Sequence, residues 1–173
     1  MNTDKLNKWL TLCANFGVLI GIILVALEIN QANKTTYAEM VNNHNDRWIT
    51  IDHSWQDAGF AAAWAKAVEN PEALTVAEMI QLSGHLYAYL DHLNSYRRLE
   101  ELGVLSAEAT SFEDFVAKNT KVFFGNQFAQ TWWQENKAIY GEPFVSIVDA
   151  QLARVPADSD LKYFERLSTT QSE

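Results

Sequence analysis

Cysteine, proline and basic side chains are all scarce in this chain. The only cysteine is Cys13, so no disulfide can form within the chain, and no thiol nucleophile exists outside the apolar run that holds Cys13. Only three prolines beside 12% aromatic residues indicate a packed chain of regular elements, not a disordered one. Thirteen Lys and Arg stand against 22 Asp and Glu, a formal net charge of −9. That balance argues against nucleic acid as a partner, because binding a polyanion needs clustered cations that displace its counterions. It argues equally against docking on anionic lipid through a basic face. The glycine-rich nucleotide loops, the GxSxG elbow, the HExxH zinc helix and the CxxC pair are all missing. Strand-like alternation and internal repeats are missing too.

What the sequence does have is a long apolar run. Trp9 to Leu27 is 19 residues without a charge, almost wholly aliphatic from Phe16 onward. A bilayer core about 30 Å thick needs roughly 20 apolar residues in a helix, so the run is read as one transmembrane span, residues 9–27, in contact with the lipid bilayer. A buried or interfacial helix and a signal peptide are the rival readings. The small-x-small cleavage pattern of a signal peptide does not follow the run; Glu28, Ile29, Asn30 and Gln31 do. Trp9 sits where an interfacial aromatic belongs, and Lys5 and Lys8 before the span favour an inside N-terminus. Lys34 and Arg47 after it leave the side of the soluble part open. The expected location is a bacterial inner membrane, single-pass. The chain divides into an anchor (residues 1–29), an acidic helical domain (30–155) and a polar C-terminal tail (156–173).

Tyr37, Val41, His44, Trp48, Ile51 and Trp55 step by 4, 3, 4, 3 and 4, an apolar seam on a helix. Its phase extends back through Lys34, Asn30, Leu27, Ile23 and Ile20, which predicts one long helix from about residue 5 to 56, broken near Gly59. A short helix, Phe60 to Glu69, follows and stops at Asn70-Pro71. Thr75-Val76-Ala77-Glu78 is a capping box that opens a helix with the seam Met79, Leu82, Leu86, Tyr89, Leu93 and Tyr96, ending at Gly103. Further helices are predicted from Ser111 to Gly125, around Trp132 and Trp133, and from Pro143 to before Pro156. The tail has at most a short helix, Leu161 to Leu167. The fold class is all-α, a helical bundle whose long first helix includes the N-terminal transmembrane anchor.

The candidate interaction residues are Gly17, Gly21, His44, Trp48 and Trp55. Gly17 and Gly21 form GxxxG, which lets two helix backbones approach in lipid and points to a homodimer; common glycine in a membrane helix is the plainer reading. His44 occupies a seam position, where a core histidine is the ordinary reading and a pH-responsive contact the sharper one. Trp48 and Trp55 fit a core at helical spacing better than a ligand cage. The candidate ligand residues are His85 and His92, placed on the helix face opposite its seam and aligned with Glu78. Glu39, Asp46 and His53 align in the same way on the first helix. Two such faces could supply a metal with imidazole and carboxylate ligands, as di-iron bundles do. The Glu-x-x-His pairs of those bundles are missing, however, and Glu78 is accounted for as a cap. No cofactor is expected.

The stretches FGVLIGIILVALEINQANKTTYAE, FAAAWAKAVENPEALTVAE, YLDHLNSYRRLEELGVL, FAQTWWQE and PFVSIVDAQL occur in that order. Across about residues 10–155 their layout resembles a broad group of short bacterial proteins with one N-terminal transmembrane helix and a small all-α domain. The single Lys34 just after the span departs from the more basic pattern of that group. The resemblance implies the fold and no catalytic residues, since the group has no established activity. The expected function is a membrane-anchored, non-enzymatic interaction or scaffold module with an unknown protein partner. The alternative is a small-ligand or metal-binding bundle with a pocket among Trp48, Trp55, Tyr89 and His85.

Overall fold

The first helix, α1, runs from Thr3 to Ser54. It belongs to a computed structural model that describes residues 3–105 and 109–170. The first two residues of the expected anchor and the last three of the expected tail therefore lie outside the described residues. Contacts divide the chain into Met1–Asn42 and Asn43–Glu173, each with its own internal packing. The sequence division after residue 29 marks where apolarity ends; the division at Asn42 marks where tertiary packing begins.

In the first unit every large side chain of the span is exposed, from Trp9 through Leu27. This helix is long and apolar enough to cross a membrane. Its polar residues satisfy themselves locally: the Thr11 hydroxyl donates to the Asn7 carbonyl at 2.9 Å, and Thr35 donates to Gln31 at 3.1 Å.

The second unit begins with the last turns of α1. It continues through α2 (Ala58–Glu69), α3 (Val76–Glu101), α4 (Phe112–Phe123), α5 (Gln127–Asn136), α6 (Phe144–Leu152) and α7 (Ser159–Thr170). Short 3-10 turns cover Pro71–Ala73 and Lys137–Ile139, and no strand occurs among the described residues. The bundle is all-α, as its sequence periodicity requires.

Local chemistry sets the boundaries. The Asp57 carboxylate accepts from Phe60 N–H and caps α2. The break after α1 is thus made by Trp55 to Asp57, and Gly59 falls inside the next helix. Thr75 and Glu78 close the expected capping box on α3, where Glu78 also receives Lys66 at 2.6 Å. Ser111 caps α4 through Asp114 N–H, and Gly103 takes φ 65° just past α3, a conformation glycine adopts without strain.

The central element is α3, which packs on α2 and α4. It buries two stripes, not one. Leu82, Leu86 and Leu93 form part of the seam read from sequence, while His85, Leu90, His92 and Leu99 are buried beside it and Met79 is exposed. His85 and His92 are thus not opposite the seam, as the sequence reading has them, but buried beside it, three or four residues from Leu82, Tyr89 and Tyr96.

The region after Pro156 is also more structured than the sequence suggests. Helix α7 fills Ser159–Thr170, longer than the expected Leu161 to Leu167, and packs on α2 and α4. Asp160 N–H donates to the Gly125 carbonyl at 2.9 Å, and Asn126 Nδ2 donates to Asp160 Oδ2 at 3.1 Å. A Cβ at Gly125 would overlap Asp160 Oδ1 and lie 2.6 Å from its Cγ and from Ser159 Oγ. Only glycine fits where α7 meets the α4–α5 link.

Candidate functional site

The residues singled out as His44, Trp48, Trp55, His85 and His92 come together in the second unit. On α1, His44, Trp48, Ile51 and Trp55 step by 4, 3 and 4; on α3, His85, Tyr89, His92 and Tyr96 do the same. Matching steps bring the two rows into register as a ladder of rings. His44 stacks on His92 with centroids 3.9 Å apart and planes 18° from parallel. Trp48 leans on His92 at 4.9 Å, and Trp55 meets His85 edge-on at 5.5 Å. From α4, Phe123 stacks on Tyr89 at 3.7 Å and on His85 at 5.6 Å, while Phe115 stacks on Tyr96 at 4.2 Å.

Burial decides the chemistry of these imidazoles. His44, His85 and His92 keep 7%, 7% and 2% of their surface. Burial removes the hydration that the charged form needs, so all three are held below the usual histidine value. His85 falls to about 4. His92 falls to about 3, with His44 and Arg47 adding to the effect. His44 is lowered by burial and then by Arg47. The three are neutral side chains at pH 7. Burial raises the Tyr89 hydroxyl well above its ordinary value. Among the described residues His44 Nδ1, His85 Nε2, His92 Nδ1 and the Tyr89 hydroxyl have no hydrogen-bond partner.

At one end of the ladder the Tyr96 hydroxyl donates to the Thr110 carbonyl at 2.5 Å; among the described residues one side-chain hydrogen bond reaches an imidazole. Ser54 Oγ lies 2.8 Å from His85 Nδ1 and donates to the Ile51 carbonyl at 2.6 Å. With its proton committed to Ile51, the hydroxyl accepts from His85, which assigns the Nδ1–H tautomer. A serine nucleophile needs the reverse arrangement, with the imidazole accepting the hydroxyl proton and a third group orienting the imidazole. His85 Nε2 has no such partner, and a value near 4 makes its imidazole a weak base.

A metal centre fares no better. Among the described residues no three His, Cys, Asp or Glu side chains form a group that could hold a metal ion. Glu78, aligned with His85 and His92 in sequence, is spent on the α3 cap and Lys66. Glu39, Asp46 and His53 are exposed. The volume suggested among Trp48, Trp55, Tyr89 and His85 is filled by Phe123, which contacts all four rings. Gly17 and Gly21 lie apart from this ladder, on α1 in the first unit, and nothing stands within 4 Å of a Cβ built at either.

No family model, no curated protein and no solved structure matches the chain.

Proposed function

We propose that this chain is a single-pass membrane protein whose helical domain works as a non-enzymatic interaction or scaffold module. The observation that carries the reading is the apolar surface from Trp9 to Leu27, exposed along its whole length. In water such a surface is costly, at roughly 25 cal/mol per Å², and a bilayer removes that cost. The non-enzymatic part is supported by the buried imidazoles, which are neutral and packed among rings, with no acid, base and nucleophile converging on them among the described residues. Lys5 and Lys8 ahead of the span favour an inside N-terminus in a bacterial inner membrane. Open space around Gly17 and Gly21 favours a homodimer through the GxxxG face.

Two experiments test this. Alkaline carbonate extraction of membranes should leave the full chain in the pellet; release into the supernatant would sink the anchor. Native mass spectrometry from detergent should give a dimer for the wild type and a monomer for Gly17→Leu/Gly21→Leu. Identical masses for the two would remove the GxxxG contact.

A further inference from the structure

A cleft of about 740 Å³ opens between the end of α1, α2, α4, the α6–α7 link and α7. Its charge is the reverse of the chain's. Lys118 and Lys121 from α4, Arg154 from the link and Arg166 from α7 line it, against one carboxylate, Asp160. Four of the 13 basic residues of a chain with net charge −9 thus surround one cavity. Lys118, Lys121 and Arg154 are exposed and take part in none of the ion pairs among the described residues. Asp160 is turned to the α4–α5 link, where Asn126 donates to it.

The walls are aromatic. Trp55 and Trp64 meet edge-to-face at 4.9 Å, and Tyr163 and Phe164 at 5.3 Å. Tyr163, Phe164 and Val122 keep 51%, 50% and 55% of their surface. Exposed rings beside the solvated Lys118, Lys121 and Arg154 match a ligand with a flat apolar body and a negative end.

We propose that this cleft binds a small aromatic organic anion, a planar ring system carrying a carboxylate or a similar acid group. The rings receive the body and the Lys118, Lys121 and Arg154 rim receives the charge. The volume lies within the range of small-molecule sites. It is too small for a polyanion, which the remaining acidic surface also repels. The site shares Trp55 with the ring ladder and does not depend on the membrane role.

The test uses the full chain in phosphatidylcholine nanodiscs and equilibrium dialysis against naphthalene carboxylate, with empty nanodiscs as the blank. The expected result is saturable uptake of one molecule per chain. Uptake should weaken about tenfold for the neutral naphthalene amide, and by a similar factor in Lys118→Gln/Lys121→Gln/Arg154→Gln, as several rim charges acting together predict. Raised salt should weaken the carboxylate alone. The thermal transition of the triple variant should match the wild type, since the three side chains are exposed. Uptake equal to the blank overturns the proposal. So does saturable uptake that is the same for the amide or unchanged in the triple variant, which would make the cleft merely greasy. An absence of uptake joined to a change of oligomeric state in the triple variant would reassign the cleft to a second copy of the chain.

Discussion

The ring ladder and the cationic cleft share Trp55 and one domain, yet they treat polar chemistry in opposite ways. The ladder draws three imidazoles out of water and keeps them neutral, so its titratable groups act on stability. The cleft keeps its cations in water beside exposed rings, so its charges hardly affect the fold and remain available to a ligand. A conspicuous histidine row is therefore the poorer guide to binding, and an inconspicuous set of lysines the better one.

The contrast is tested most severely at Phe123, the ring that joins Tyr89, His85, Trp48 and Trp55. Phe123→Ala should cost about 3–5 kcal/mol, as truncation of a buried aromatic does, read by chemical denaturation. A loss below about 1 kcal/mol would mean that the ladder is not the core of the domain.

Acid should act next. The unfolded histidines take up protons below their ordinary value of 6.5, while folded His85 and His92 wait until about 4 and about 3. The stability they contribute is full above 6.5 and is lost as pH falls from there toward about 4 for His85 and about 3 for His92. Asp160 runs the other way: burial lifts its carboxyl from 3.8 to about 6, so the folded chain takes up that proton first and gains stability as pH falls between those values. The histidines outnumber it, so the melting temperature at pH 5 should lie roughly 5 °C or more below that at pH 7.5. Asp160→Asn should steepen the fall. A melting temperature flat over that interval in both proteins would place the imidazoles in water.

Gly125→Ala should cost about 1–3 kcal/mol, since the methyl group overlaps Asp160 and α7 must shift. Amide exchange should rise along Ser159–Thr170 and leave α3 unchanged. The smallest effect is expected at Lys118→Gln/Lys121→Gln, within about 0.5 kcal/mol of wild type in stability. A large loss there would make those lysines structural and erase the distinction between cleft and ladder.

Much of the fold can be read from the sequence, because helical spacing and caps are local. The α1 row His44, Trp48, Ile51 and Trp55, the Thr75 box and the Ser111 cap all follow from a few neighbouring letters. The second buried stripe of α3 cannot be read that way. His85 and His92 count as polar in any apolar pattern, and their burial is decided by rings from α1 and α4. The cleft is harder still to find. Its walls come from residues between Trp55 and Arg166, and its floor requires α7, which polar residues disguise as a tail. Net charge misled in the same way, because an acidic total conceals a local excess of cations.

The contact between Gly125 and Asp160 also separates what the cleft needs from what the ladder needs. The ladder is complete once α4 has formed, because its last ring is Phe123. The cleft waits for Asp160 to reach Gly125 and for Tyr163, Phe164 and Arg166 to follow. In chain order the rings of the ladder come first and the last wall of the cleft, α7, comes after them. A chain cut before α7 would keep the residues of the ring stack and lack one wall of the cleft, so a ligand of the cleft would report that α7 is present and docked.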